Sequence, residues 1–418
     1  MSEFVLKPLG ELVRSREPGC GLPGEVFSRP DVYETDVHIF FHKHWIVAGV
    51  TADVPEPGDV SVVDIGKASV IIVRDDDENI RAYRNVCRHR GSRLKEAGKS
   101  TVGMLVCPYH QWTYDLDGSL RHAKHMGQDF DATCRSLLPV HIKVVGTHIF
   151  VCLADEPPAD IATLEETMTP RFAPYELQNT KIAFESEIIE DGNWKLVMEN
   201  NRECYHCEAG HPELTLSFVP ESTGASADDM DEEGREALDA YNKVNAESQS
   251  DWENEGYICS PVEALSGDVV TQFRTQRLII GGNGESQTMD TRVACRKLLG
   301  NLTRRDLGDT HLWTHNSWSH VMSDHAMITY IIPLTPEKTL VRTKWLVHAD
   351  AVEGVDYDLT KLTEVWVATN AQDASLVAVN HRGARDPGYI PGPYSPTTET
   401  YVDQFVGWYA SRLMAHGY

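Results

Sequence analysis

Two short segments, Cys87-Arg88-His89 and Cys107-Pro108-Tyr109-His110, stand 17 residues apart, and each offers one thiol and one imidazole. Four such donors grouped in pairs specify a metal site by ligand count. They also force two loops to close on one point, which limits the folds open to this part of the chain. Zinc accepts two Cys and two His as well, but zinc fingers usually open on a knuckle of two Cys and finish on two His. Here each pair is mixed. That suits a [2Fe-2S] cluster in which two Cys hold one iron and two His hold the other. Neutral imidazoles in place of two thiolates lower the negative charge on such a cluster and raise its reduction potential. Gly91 and Gly103 are expected to let the loops curve around it, and Pro108 to stiffen the second loop.

A second group of donors follows the helix-like segment opened by Asn193-Trp194-Lys195. His206 and His211 are five residues apart, which on an ideal helix is a rotation of about 140°, too far for one face. Both reach one ion if His206 sits in the last regular turn and His211 just after it. Gly210 would release the helix there and Pro212 would mark its end. Two neutral imidazoles and a carboxylate make the facial triad of non-haem Fe(II) oxygenases. Glu199, Glu203 and Glu208 lie near in sequence. The distant Asp373 is the better candidate. It falls on the seam Leu362, Trp366, Asn370, Asp373, Val377 of a helix expected over 359–380, where a carboxylate is costly unless paired or metal-bound. From periodicity alone a structural ion pair is an equal reading of Asp373. Cys204 and Cys207, beside the histidines, keep zinc open as a rival at this second site.

A chain of 418 residues predicts two domains. Its hydrophobic content of 41% is enough for real cores. The formal charge of −25 argues against nucleic-acid binding by the general surface, since phosphate contacts need Lys and Arg. It fits a soluble protein and can steer a basic partner or a cationic substrate. No apolar run approaches the ~20 residues a membrane helix needs, and the opening stretch has no signal-peptide character, so a cytoplasmic location is expected. In such a compartment the nine Cys are expected to be metal-bound, catalytic or buried rather than disulfide-bonded. The sequence shows no Gly-rich nucleotide fingerprint and no further four-Cys ferredoxin pattern, which points to a separate reductase.

Residues 1–40 read as a helical segment with Pro and Gly punctuation. Short β-rich runs follow at 60–63, 69–73, 80–84, 112–114 and 148–153, predicting a small antiparallel β domain over 41–155. Ala154-Asp155-Glu156-Pro157-Pro158 marks a boundary. The rest, 156–418, mixes helices and strands. The acid-rich stretch 221–256 reads as a solvated helix with loops, a candidate lid. Strand-like runs lie at 326–332 and 339–347, and Gly383 is placed to stop the 359–380 helix. Trp313, Trp318, Tyr330 and Trp345 read first as core aromatics on strands. An aromatic cage for a methylated ammonium is the alternative reading of any of them.

An electron-carrying cluster together with an open iron site implies O2 activation. In these residues the chain resembles the oxygenase (α) subunit of Rieske non-haem iron oxygenases. Cys87-x-His89 and Cys107-x2-His110 come first, then Asn193-Trp194-Lys195, Glu203-x2-His206-x4-His211 and Asp373, over nearly the whole chain. The resemblance implies an α+β protein: an antiparallel β Rieske domain and a larger α+β catalytic domain with a central antiparallel sheet flanked by helices, of the helix-grip type. It implies that the first 40 residues pack on the catalytic domain. It implies iron ligands His206, His211 and Asp373, and a bridging carboxylate at Glu203, where most of the family has Asp. Segments 86–94, 199–207, 344–348 and 391–395 are similar to the branch that demethylates quaternary ammonium compounds of the glycine betaine and proline betaine class. That likeness implies a monooxygenase using O2 and electrons from NAD(P)H through a separate flavin/iron-sulfur reductase. Its products would be formaldehyde and a tertiary amine. The family further implies a homotrimer in which Glu203 links His110 of one subunit to His206 of the next. Hydroxylation of an aromatic ring, or of another methylated amine such as carnitine, is the alternative. A pure electron-transfer protein with a zinc-bound second domain is a rival of a different class.

Overall fold

The computed structural model of the chain describes residues 7–220 and 231–418. Two compact units emerge. Phe40–Pro158 forms one; Ala159–Tyr418, joined by the segment that ends at Ile39, forms the other. That N-terminal segment carries α1 (Leu9–Arg14), α2 (Glu25–Ser28) and α3 (Pro30–Asp36). Pro30 opens α3 where its missing N–H is no loss.

The smaller unit is antiparallel β throughout. Its strands are β1 (Ile46–Val50), β2 (Asp59–Ile65), β3 (Ala68–Arg74), β4 (Ile80–Arg84), β5 (Gly98–Thr101), β6 (Leu105–Val106), β7 (Thr113–Tyr114), β8 (Leu120–His122), β9 (His141–Val145) and β10 (His148–Cys152). They form sheets ordered β1-β10-β9, β4-β3-β2-β5 and β6-β7-β8. Ile65 pairs with Ala68 across the two-residue turn Gly66-Lys67, and Gly66 at φ +59° supplies the left-handed step that tight hairpins need. Val60, Val62, Ile71, Val73, Tyr83, Trp112 and Tyr114 pack into one core, and Cys87 and Cys107 belong to it.

The larger unit continues with α4 (Ile161–Phe172), β11 (Thr180–Glu190), α5 (Trp194–Asn200), α6 (Cys207–Gly210) and α7 (Glu232–Asn254). Then come β12 (Val262–Ala264), β13 (Phe273–Leu278), β14 (Asp309–Thr314), β15 (Ser317–Val321), β16 (Ala326–Thr335), β17 (Lys338–His348), α8 (Leu359–Ala384) and α9 (Thr400–Ala415). The seven strands form one antiparallel sheet, ordered β11-β17-β16-β15-β14-β13-β12. Every residue of β14 and β15 is buried, so the sheet centre is covered on both faces. The edge strand β11 is laced with Lys and Glu, which blunts it against further pairing. Helix α8 packs against β11 and α5.

Two local expectations change. Gly383 does not stop α8, which runs on to Ala384 and is closed by the Arg385 N–H. One Gly inside a helix costs only about 1 kcal/mol, and the buried seam that ends at His381, with Ala384 buried just past the glycine, holds the last turn in place. Gly103 has no left-handed backbone, whereas Gly91 does, at φ +77°. Of the acid-rich stretch, 221–230 lies outside the described residues. Beyond it α7 is capped by Asp231, and Trp252 is buried with its indole N–H on the Asp306 carbonyl at 2.8 Å.

The Asn193-Trp194-Lys195 motif is an anchor. Asn193 caps α5 by accepting the Lys195 N–H at 3.1 Å. The Trp194 indole N–H (2.9 Å) and the Lys195 ammonium donate to Asp36 Oδ2, and the Tyr409 hydroxyl donates to Asp36 Oδ1 at 2.8 Å. Asp36 and Lys195 are fully buried. Removing one member strands a buried charge, so Asp36→Ala is expected to destabilise by about 3–5 kcal/mol. A urea titration reads this as a lowered midpoint; an unchanged midpoint would show that the network is not an anchor.

Candidate metal centres

The two Cys/His loops share one hydrogen-bond scheme. Cys87 N–H donates to Ser92 O (2.8 Å) and Gly91 N–H to Cys87 O (3.1 Å); Cys107 N–H donates to Trp112 O (2.8 Å) and Gln111 N–H to Cys107 O (3.0 Å). Both turns place a left-handed residue at the same step, Gly91 in the first and Gln111, at φ +61°, in the second. The scheme turns each thiol inward: Cys87 and Cys107 are buried, while His89 is exposed and His110 half-buried. The two imidazole rings lie 4.7 Å apart, and His89 stacks on Trp112 at 4.8 Å. The His89 N–H points at Cys87 Sγ, and the Tyr109 and His110 N–H groups point at Cys107 Sγ. The Tyr114 hydroxyl lies 3.4 Å from Cys87 Sγ and accepts the Arg88 N–H at 3.0 Å. Two buried thiols ringed by donors, with two imidazoles at the surface, suit a cluster with one iron inside and the other at the rim.

In the larger unit α5 ends at Asn200 and does not reach His206. Asn200 and Asn201 are poor helix formers. Glu203 Oε2 then accepts the backbone N–H groups of Tyr205 and His206, a local bond that competes with the helical ladder. His206 and His211 instead flank the single turn α6, as its first and last caps. The turn brings their Nε2 atoms to 3.0 Å. Asp373 Oδ1, from α8, lies 3.0 Å from His211 Nε2 and 3.4 Å from His206 Nε2.

This triangle fits a metal ion. Ligands about 2.1 Å from an ion and at right angles to one another stand about 3.0 Å apart. Both rings are set to present a lone pair at Nε2. His206 Nδ1–H donates to Glu203 Oε1 (2.5 Å) and His211 Nδ1–H to Gln372 Oε1 (2.8 Å), which fixes the tautomers. Gln372 is in turn held by Glu213 at 2.8 Å. Asp373 Oδ1 is buried and makes no hydrogen bond. Burial works against a charged His206, but Asp373 and Glu203 outweigh it and push its pKa up to about 9. Burial likewise opposes ionised Asp373, and the two histidines overcome it and hold its pKa down. The site therefore favours a cation.

Cys204 and Cys207 are joined as a disulfide, with Cα atoms 4.9 Å apart. This corrects the reading of these two thiols as zinc ligands and, for this pair, the expectation that the cysteines are metal-bound, catalytic or buried rather than disulfide-bonded. The carboxylate that meets both Nε2 atoms is that of Asp373; Glu199 accepts the Tyr394 hydroxyl at 3.1 Å. Gln372 escaped the sequence reading, its one signal being its place beside Asp373 on α8.

Two family profiles match the sequence: the Rieske [2Fe-2S] domain over residues 44–152, and the ring hydroxylating alpha subunit (catalytic domain) over residues 177–415. The chain belongs to the ring-hydroxylating oxygenase α-subunit family. It is a Rieske non-haem iron oxygenase, with a [2Fe-2S] cluster and a mononuclear iron as its cofactors. The glycine betaine monooxygenase oxygenase subunit of Chromohalobacter salexigens is 43% identical over 97% of this chain and 88% of its own length. A solved quaternary ammonium Rieske monooxygenase, described for carnitine oxidation and inter-subunit electron transfer, superposes with TM-score 0.66 at 19% identity, covering 99% of both chains. Naphthalene 1,2-dioxygenase from Rhodococcus sp. gives 0.67 at 17% identity, covering 98% and 99%. Backbone similarity thus places the fold and does not separate ammonium from aromatic substrates.

Beside the triad of this oxygenase lies a small cavity of about 50 Å³. Asn201, Phe218, His311, Trp313, His320 and Trp366 line it together with the triad. Of the four strand aromatics weighed from sequence, only Trp313 reaches it; Trp345 is wholly buried against Phe184, and Tyr330 lies beside Arg342 and Lys344. Phe218 and Trp366 were not foreseen. Glu203 and His206 line a second cleft as well, with Glu199, Tyr394 and Glu399. Among the described residues no helix is long and apolar enough to cross a membrane.

Proposed function

We propose that this oxygenase removes an N-methyl group from a quaternary ammonium compound of the glycine betaine class. The observation that carries this reading is the 43% identity, over nearly the full length, to a glycine betaine monooxygenase subunit. The cavity supports it. Phe218 and Trp366 offer aromatic faces to a cation that has no N–H to donate. His311 and His320 make the same cavity more polar than an aromatic hydrocarbon would favour.

Cys87, His89, Cys107 and His110 hold the cluster; His206, His211 and Asp373 hold the iron. When bound, the cluster supplies electrons singly and the iron activates O2. Glu203 and Gln372 orient the two imidazoles. Glu203 also faces the second cleft, where it can accept a bond from His110 of another copy in a homotrimer. A separate NAD(P)H-dependent reductase feeds the cluster, and the protein works in the cytoplasm. One oxygen atom of O2 enters a methyl C–H bond and the other leaves as water, with two electrons and two protons consumed. The N-hydroxymethyl group then splits into formaldehyde and a tertiary amine.

Formaldehyde release across glycine betaine, proline betaine, carnitine and salicylate, with a surrogate reductase, tests the reading. Formaldehyde from a betaine is expected. A ring-hydroxylated product with no formaldehyde from any methylated amine would overturn it. At the cluster, Tyr114→Phe removes one hydrogen bond to a ligand sulfur. A bond of about 1 kcal/mol corresponds to a fall of about 40 mV in a one-electron potential, and protein-film voltammetry reads it. An unchanged potential would show that the hydroxyl does not act on the cluster.

A further inference from the structure

The cavity wall formed by β14 and β15 differs from the wall that carries the triad. Alternation along β14 puts His311 and Trp313 on one face, and His320 comes from β15, its ring 4.9 Å from that of His311. His311 is 2% exposed, and its Nδ1 is buried with no hydrogen-bond partner. Buried polar atoms nearly always have partners, so one without calls for an explanation. His320 is settled: its Nδ1 is held by Asp309.

The surroundings say which sign of ligand would complete His311. Arg202 is 2% exposed, bonds the Thr314 carbonyl and Asn201 Oδ1, and has no carboxylate at ion-pair distance among the described residues. Its guanidinium lies 4.8 Å from the Trp313 ring centre, and that of Arg274, paired with Glu263, lies 5.2 Å from the same ring. Asn201 and Trp313 both line the cavity, so the uncompensated charge of Arg202 sits one layer behind the wall. Two guanidinium groups gathered on Trp313 repel a third cation there. Burial first, then His320, Arg274 and Arg202, push His311 well below its ordinary pKa, leaving a neutral ring with one N–H to give.

We propose that His311 binds the carboxylate of a zwitterionic quaternary ammonium substrate, with Arg202 as the buried positive charge that draws the carboxylate to this wall. The methylated nitrogen is then turned toward His206, His211 and Asp373, and Phe218 and Trp366 are left to face it. The assignment rests on the quaternary ammonium function proposed above, and it explains how one end of a small zwitterion is selected for oxidation.

The test compares holoenzyme with His311→Phe, which keeps a ring but no donor, and His311→Asn, which keeps an amide N–H near the position of Nδ1. Glycine betaine and tetramethylammonium, the same cation without a carboxylate, are measured by calorimetric binding under anaerobic conditions and by formaldehyde release. In His311→Phe the Kd and KM for glycine betaine are expected to rise about tenfold or more. The kcat should fall by less, tetramethylammonium should change less than about twofold, and His311→Asn should recover part of the loss. Equal losses for both compounds, or none for glycine betaine, would overturn the carboxylate assignment while wild-type formaldehyde release leaves the function standing. No formaldehyde from either compound with the wild-type protein would overturn the function itself, and the assignment with it.

Discussion

Glu203→Gln is expected to leave both metal centres loaded and to cut turnover by about 100-fold or more. The amide keeps the size of the carboxylate and can still accept the His206 Nδ1–H, so the His206 ring keeps its place in the triad. What it loses is the negative charge that, in the proposed relay, would balance a proton on a neighbouring imidazole as electrons arrive. Iron and sulfide analysis with the cluster's EPR spectrum establishes loading, and formaldehyde release gives the rate. Near-normal turnover in the loaded variant would remove Glu203 from electron transfer and leave it a merely orienting role at His206. Full loss of the mononuclear iron would instead make its bond to His206 a requirement for binding metal.

Asp373→Ala is expected to abolish turnover by a different route. It removes the only anion of the triad and leaves two neutral imidazoles 3.0 Å apart. The site loses one of its three ligands and the negative charge that balances the ion, so occupancy of the mononuclear site should fall to about a tenth or less. The cluster, proposed to be held in the other unit by Cys87, His89, Cys107 and His110, should keep its visible and EPR spectra. Leu362, Trp366 and Val377 bury the helix seam without help from Asp373, so the melting profile of the metal-free protein should change little. Retained iron and activity would return Asp373 to the structural ion pair that periodicity alone allowed.

Sequence reading went furthest where function is written locally. The four Cys and His donors are closely paired, and each pair lies within one turn whose geometry needs nothing from the rest of the fold. Asp373 was legible because a carboxylate on an apolar seam violates helical patterning. His206 and His211 were legible as residues, but their backbone was misread. A carboxylate that caps its own chain, Glu203, ends the helical ladder in a way that spacing does not announce. The cavity wall was the least legible part. Whether Trp313, Trp318, Tyr330 or Trp345 meets a substrate depends on which face of which strand is turned inward, and that is set by pairing across the sheet. Phe218 and Trp366 reach the cavity from a loop and a helix far apart in sequence. Asn193-Trp194-Lys195 had a strong sequence signal with a structural cause, the buried Asp36.

The central claim, that the cluster feeds an iron that oxidises an N-methyl group, is tested most directly by a single turnover. Holoenzyme is reduced chemically, freed of reductant, mixed with glycine betaine and exposed to O2. Cluster oxidation is followed by EPR while formaldehyde and dimethylglycine are quantified. The account predicts that the two products appear in equal amounts, up to one of each per mononuclear iron, as the cluster becomes oxidised. Oxidation of the cluster with glycine betaine present and no formaldehyde formed would contradict it.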